Sequence, residues 1–524
     1  MSLLSRHTLE RWWSVHTWTG VVGGLVLHVM FFMGGLTIFY KQLNAWEEPV
    51  AQLPRAERSL EDDLNAGIAM LGGAPEDLWL YPPTTLRTAT KVGYHVPGTH
   101  AFESLWVHPQ TGAGIASREV LSGFFYDLHY LWHNVTGEMV SYGAGFLGLC
   151  FLLALVSGVA IQLKNLRGQL HQFRPDRGER VLFSDLHKVL GVLGLPLQLT
   201  YAFTGAFMVL APLTAPFFTA TAHGGDYART ARLVWEEPED EMPAGPVAAV
   251  LPLDALIASA QAASPELVAN SYRFRHHGRA NGWMEMAGTL RGTPFSEGRV
   301  RVAERDGRVL DVRGPGLDGA ALTAQRFLFA VHWGEYGGLP LRLVIFVLAL
   351  CTCLTILTGN WVWLARRARE HDTVLHRALH RLTVGIGAGV ITATAALFLV
   401  SRLLPLTWAG RGRIEELLFI GVLGACVATS LGARNVRALW SKLLGLAGAL
   451  LLPVPLVAAR ISDAGLFGAG PHRAVAVGVE AGILLAAAAL TAVALLLHRQ
   501  RAPRPTPPRS ARAPAASIAE AADA

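Results

Sequence analysis

Apolar residues in this chain gather into long uninterrupted runs rather than into stripes or alternations. The first, Trp12 to Tyr40, holds no Asp, Glu, Lys or Arg and exceeds the about 20 residues that a helix needs to cross a bilayer. Seven more lie at about 140–163, 187–213, 339–364, 380–403, 414–432, 441–459 and 474–497. Two long polar intervals interrupt the series. Residues 42–122 carry an amphipathic stretch, Leu60 to Leu71, then short strand-like runs, LWLYP, KVGYHV and SLWVHP, closed by PQTGAG. Residues 214–325 repeat that order, with a helix-like stretch from Leu253 to Ala263, then SYRFRHH, GWMEMAG and VRVAERDGRVLDV with its Asp-Gly turn. The pattern predicts a polytopic α-helical membrane protein of about eight spans with two small periplasmic α+β domains.

Composition agrees, at 52% hydrophobic, 16% charged and mean hydropathy +0.34 over 524 residues. The net charge of +6 is no nucleic-acid signal, because the basic residues cluster beside the ends of apolar runs. Arg6 and Arg11 precede the first run; Lys164, Arg167, Arg174, Arg177 and Arg180 follow the second. Arg366, Arg367 and Arg369 follow the fourth, and Arg434, Arg437 and Lys442 join the sixth to the seventh. The positive-inside bias leads one to expect these clusters and both termini in the cytoplasm of a multi-pass membrane protein. The first run is long and lacks a small-residue cleavage site, so it is expected to stay as an anchor.

The expected divisions are the N-terminus with span one (1–41), a first periplasmic domain (42–122), and spans two and three (123–213). A second periplasmic domain (214–325), spans four and five (326–403), spans six to eight (404–498) and a disordered basic tail (499–524) complete the chain. Cys150, Cys351, Cys353 and Cys426 all fall inside spans and read as small packing residues.

The span–domain–span unit occurs twice, and histidines recur with it. His16 opens span one and His187 opens span three; His133 precedes span two and His332 precedes span four. Spans two and four end alike, VSGVAIQLK against LTGNWVWLARR. Ionisable groups in spans mark functional interiors, and imidazoles on facing helices are haem ligands. By depth, His16 and His187 belong to a cytoplasmic-side haem, while His28, His129, His133 and His332 compete for a second, outer one. His376 and His380 stand as alternative partners for the inner haem. Gly20, Gly23, Gly24, Gly34, Gly35, Gly191, Gly194 and Gly205 would make room for flat macrocycles. No Gly-rich phosphate loop follows a strand, so electrons are expected from a membrane quinol or a separate reductase. The pair His276-His277, among arginines, reads as a solvated strand face.

The stretches RWWSVHTWTGVVGGLVLHVMFFMGGLTIFYKQLNAW, DLHYLWHNVTGEMVSYGAGFLGLCFLLALVSGVAIQLKNL, FSDLHKVLGVLGLPLQLTYAFTGAFMVL and AVHWGEYGGLPLRLVIFVLALCTCLTILTGNWVWLARR resemble the PepSY-associated transmembrane family, over roughly residues 6–400. That family includes iron-regulated inner-membrane proteins and ferric-siderophore reductases. The resemblance implies PepSY folds for the two soluble regions, haem b in the bundle, two haems in all, and periplasmic reduction of a ferric siderophore or other ferric chelate. His16, His129, His133, His187 and His332 fall on the family's motif histidines. Gln162 stands where many relatives carry a histidine. The rival expectation is a regulatory or scaffold membrane protein whose PepSY domains bind periplasmic peptidases and which carries no cofactor.

Overall fold

The computed structural model describes residues 5–96, 102–117, 120–131, 137–163, 168, 172–227, 229–230, 244–292, 297–317, 320–334, 336–367, 373–406, 408, 410–468 and 473–499. Helix α1 (Arg6–Thr37) starts at Ser5, whose hydroxyl caps Thr8 N–H. A break after Thr37 turns the chain into the short α2 (Tyr40–Glu47). A capping box of Ser59 and Asp62 then opens α3 (Leu60–Met70). Strands β1 (Asp77–Tyr81), β2 (Thr90–His95), β3 (Phe102–Val107) and β4 (Gly114–Ala116) follow, then α4 (Leu121–His129) and α5 (Glu138–Gln162). The second half repeats the order. It runs α6 (Glu179–Ala222), α7 (Leu253–Ala263), β5 (Leu267–Arg275), β6 (Trp283–Leu290), β7 (Glu297–Ala303), β8 (Val309–Arg313), α8 (Ala320–Trp333) and α9 (Gly338–Arg367). Last come α10 (Val374–Leu403), α11 (Arg411–Gly432), α12 (Val436–Leu451) with a helical extension, Val454–Ala458, and α13 (Ala474–Arg499).

Among the described residues eight helices are long and apolar enough to cross a membrane, and the chain is a polytopic membrane protein. The third span is longer than its apolar run. α6 covers 44 residues, about 66 Å at the helical rise, so it stands well clear of a 30 Å hydrocarbon core. Helices α1, α5, α6 and α9 pack in a closed ring, each against two neighbours. Helices α10 to α13 form a second bundle that meets the first through α10 against α1 and α9. α10 is the most enclosed span, with small residues such as Gly385, Gly387, Ala388 and Gly389 along its buried length.

The two small α+β regions predicted from the sequence join edge to edge. Among the described residues the eight strands form a single antiparallel sheet in the order β4-β3-β2-β1-β5-β6-β7-β8. The first strands of the two halves pair directly, Asp77 with Arg275 through Leu80 with Tyr272. α3 and α7 cover one face over a continuous core of Leu64, Leu78, Val92, Leu256, Phe274 and Met286. Asp63, fully buried at the start of α3, accepts from Arg55 at 2.7 Å, Arg58 at 3.0 Å and Thr90 at 2.5 Å, tying the helix to β2. His276 and His277 sit in the turn after β5, not on an open strand face. His276 is buried with φ of 52°, and His277 Nδ1 lies 2.7 Å from the buried Glu304.

Candidate functional site: two histidine pairs

The ring of α1, α5, α6 and α9 places α1 and α6 across from one another. His16 and His187, five residues from Arg11 and two from Asp185 respectively, meet in the middle with ring centroids 6.0 Å apart and planes at 71°. Each is anchored by the adjacent helix of its own half. His16 Nδ1 lies 2.8 Å from the Ala154 carbonyl on α5, and His187 Nδ1 lies 2.8 Å from the Thr355 carbonyl on α9. Three residues on, Ser157 and Thr358 turn their hydroxyls back onto their own helix. Four residues on, Gly158 and Gly359 leave bare backbone against the imidazoles; a Cβ would come within 3.1 Å of His16 and 2.9 Å of His187. The shared Ser/Thr-Gly step in VSGVAIQLK and LTGNWVWLARR is the imidazole seat. One turn beyond the histidines, Gly20 and Gly191 face open space, with nothing within 4 Å of the first and only Thr355 at 3.8 Å of the second.

A second pair forms at the sheet end. His129, last residue of α4, and His332, on α8, have centroids 6.2 Å apart with planes at 48°. His129 Nδ1 lies 2.8 Å from the Met30 carbonyl, and its ring lies against Gly34. His332 Nδ1 lies 2.6 Å from Thr204 Oγ1, next to Gly205, with Tyr201 edge-on at 4.8 Å. Met30 and Gly34 stand 14 and 18 residues after His16; Tyr201 and Gly205 stand at the same offsets after His187. The two pairs are thus stacked along the ring axis, roughly 21 Å apart in helical rise. A cavity of about 420 Å³ opens around the second pair, bordered by Gly34, Gly148, Gly205, Tyr126, Tyr201 and Trp333. Such a volume is typical of a cofactor pocket.

The hydrogen bonds fix which nitrogen each ring presents. A carbonyl only accepts, so His16, His129 and His187 each donate from Nδ1. Thr204 spends its hydroxyl proton on the Thr200 carbonyl at 2.7 Å, so it too accepts from His332 Nδ1–H. All four imidazoles are left with Nε2 bare of hydrogen. A metal–nitrogen bond of about 2 Å, with the ring centroid roughly 1 Å behind the nitrogen, sets two opposed imidazole centroids about 6 Å apart. Both pairs have that separation.

The remaining histidines are elsewhere. His28 is buried against the backbone of Cys353 and Gly387, on the α9–α10 side of α1, and joins neither pair. Neither of its nitrogens makes a well-formed hydrogen bond. His376 stacks on Trp363 and engages its Nε2 with the Leu364 carbonyl at 2.8 Å, so it does not replace a member of the first pair. His380 follows one turn later and also joins neither. His133 lies outside the described residues, as do His171, His371, His472, Lys164, Arg167, Arg369 and the tail from 500 onward. Among the described residues the histidine that meets His332 is His129, one turn before the undescribed His133.

The helix carrying His129 starts at a buried carboxylate that sequence reasoning missed. Glu47 accepts from Leu121 N at 2.8 Å and Ser122 N at 3.2 Å, and from the Ser122 hydroxyl. Burial pushes its pKa up to about 7. Arg402 donates to the Trp46 and Glu47 carbonyls and stacks over Trp46 at 4.4 Å. Trp46 Nε1 donates in turn to Glu480 of α13 at 3.1 Å. The second bundle thereby holds the root of α4.

Comparison with known proteins matches the family described as the PepSY-associated TM region over residues 13–366. That interval contains both histidine pairs and the whole sheet, and ends before the second bundle. The chain is also similar to the uncharacterized protein PA4219 of Pseudomonas aeruginosa. The two are 32% identical over 316 residues, which cover 57% of this chain and 78% of that protein.

Proposed function

From the premise that the chain belongs to the PepSY-associated transmembrane family, we propose that it is a dihaem electron-transfer protein. It passes electrons across the bacterial inner membrane and reduces a ferric chelate, such as a ferric siderophore, on the sheet side. The observation that carries this reading is the pair of stacked His–His sites, each with one histidine from each half, Nδ1 engaged and Nε2 bare at a spacing that admits one metal ion. Among the described residues no group of three or more His, Cys, Asp or Glu side chains could hold a bare ion. Two nitrogens per site suit a metal whose other positions are filled by a macrocycle, and the glycines beside each ring leave room for one.

His16 with His187, and His129 with His332, would hold the two b-type haems; each supplies a one-electron iron centre when bound. Ala154, Thr355, Met30 and Thr204 orient the rings and raise the basicity of Nε2 by accepting from Nδ1. Tyr126, Tyr130 and Trp333 line the outer cavity. The basic clusters at Arg174 and at Arg366 and Arg367 favour a cytoplasmic placement for the end opposite the sheet, and so a periplasmic sheet. Electrons would enter from a membrane quinol or a separate reductase. Fe(III) binds oxygen-rich chelators far more tightly than Fe(II), so reduction loosens the metal for uptake.

The test is the dithionite-reduced minus oxidised visible spectrum of the purified, haem-replete protein, with haem quantified per chain. A b-type spectrum at two haems is expected, followed by oxidation on adding a ferric chelate. A flat spectrum overturns the proposal and favours the cofactor-free scaffold.

A further inference from the structure

Glu47 is placed where a proton can answer an electron. Its carboxylate caps the first turn of α4, and the last residue of that helix is His129. α4 spans nine residues, about 14 Å, so the carboxylate stands roughly 15 Å from any metal that His129 binds. The surrounding charges are few and defined. Glu48 follows it in the chain, Tyr40 lies on its own helix, Arg402 reaches it from α10, and Lys91 approaches from β2. Beyond Arg402, Arg411 and Glu415 of α11 pair with each other. Tyr126 and Asp127 of α4 act on Tyr40. Burial balances these so that the carboxyl titrates at about 7, where a modest change in nearby charge alters its proton occupancy.

We propose that Glu47 is a redox-linked proton site, taking up one proton from sheet-side water as one electron reaches the outer histidine pair. The inference rests on the dihaem reading. The electron is supplied by a membrane quinol in the cell and by an electrode in the test. Iron is reduced from the ferric to the ferrous state, and the carboxylate becomes a carboxylic acid that still accepts from Leu121 and Ser122. One charge at roughly 15 Å and an effective dielectric of about 20 changes the redox equilibrium about fivefold. At 59 mV per tenfold for one electron, that is about 40 mV.

The experiment is a spectroelectrochemical titration of the full-length haem-loaded protein from pH 5.5 to 8.5, with reduced-minus-oxidised infrared difference spectra. The wild type should lose about 40 mV of outer-haem midpoint across neutral pH and show a protonated carboxyl band on reduction. Glu47→Gln keeps an accepting oxygen for the α4 cap and should abolish both. Ser122→Ala removes one bond to the carboxylate, so its transition should move to higher pH; the variant serves as well if Glu47→Gln does not assemble. A pH-independent midpoint in the wild type, or an unchanged slope in Glu47→Gln with Ser122→Ala also unshifted, overturns the inference alone. A preparation with no haem overturns the dihaem reading, and this one with it.

Discussion

Gly34→Ala is the sharpest probe of the outer pair, because its pseudo-equivalent Gly205→Ala supplies the control. A Cβ at position 34 would lie 2.6 Å from His129 Cε1 and 2.7 Å from its Nδ1, whereas a Cβ at 205 would lie 3.7 Å from His332 Cε1. Carbon contacts settle at about 3.5–4.0 Å, so the His129 ring must retreat by about 1 Å. It cannot do so and keep its 2.8 Å bond to the Met30 carbonyl, which lies one turn earlier on the same helix. Overpacking costs about 1–3 kcal/mol, and misorienting a ligating histidine typically costs about 10–100-fold in metal affinity. Gly34→Ala should therefore weaken haem binding at the outer pair by 10-fold or more, with the inner haem retained. Gly205→Ala leaves the His332 ring in place, since its new methyl makes an ordinary contact with it, and loses only what the methyl takes from the cavity, so it should keep more outer-haem affinity than Gly34→Ala. Haem titration of the apoprotein, followed by visible spectroscopy and haem per chain, reads both. Equal behaviour of the two variants, or full outer affinity in Gly34→Ala, would refute the seat assigned to His129.

The other predictions are brief. His129→Ala should remove one haem and His133→Ala none, by haem per chain; loss in the second and not the first would put the outer ligand at 133. His16→Ala and His187→Ala should remove the same single haem, which redox titration identifies by its midpoint. Asp63→Ala leaves Arg55, Arg58 and Thr90 without their shared acceptor and should cost about 3–5 kcal/mol, measured as thermal unfolding of the sheet with haem content unchanged. Glu47 has a folded pKa raised from 4.5 to about 7, so the stability tied to its proton is complete below pH 4.5 and lost as pH rises through 7. The loss is about 3 kcal/mol; Glu47→Gln should melt higher than wild type at pH 8 and not at pH 5.

Much of this was legible in the chain because membrane spans are written as length and apolarity alone. The span–domain–span repeat, the shared depth of His16 and His187, and the place of His332 at the other end of the ring follow from depth and spacing. What escaped depends on contacts between distant residues. That the His129 ring lies against Gly34 depends on how the end of α4 meets α1, which periodicity does not show. The Ser157-Gly158 and Thr358-Gly359 steps were visible as a likeness between spans, but their purpose shows only when an imidazole lies on the glycine. Strand pairing between Leu78 and Phe274 has no local signature, so the joining of the two α+β regions into one sheet is not legible in the chain. Glu47 is hidden for a similar reason: it precedes the helix it caps by more than 70 residues.

The seam between β1 and β5 has a consequence for origin. These are the equivalent first strands of the two halves, and they run antiparallel to each other, which is the relation a two-fold axis imposes on identical edges. Each histidine pair also draws one member from each half. Either half taken alone carries one self-complementary strand edge and one member of each histidine pair. Two copies of such a half meeting edge to edge would complete both pairs at once, the arrangement expected of a duplicated unit. The halves differ in how they hold the outer rings: Thr204 accepts from His332 Nδ1 where the Met30 carbonyl accepts from His129 Nδ1, and Tyr201 stands at the offset that Met30 has in the first half.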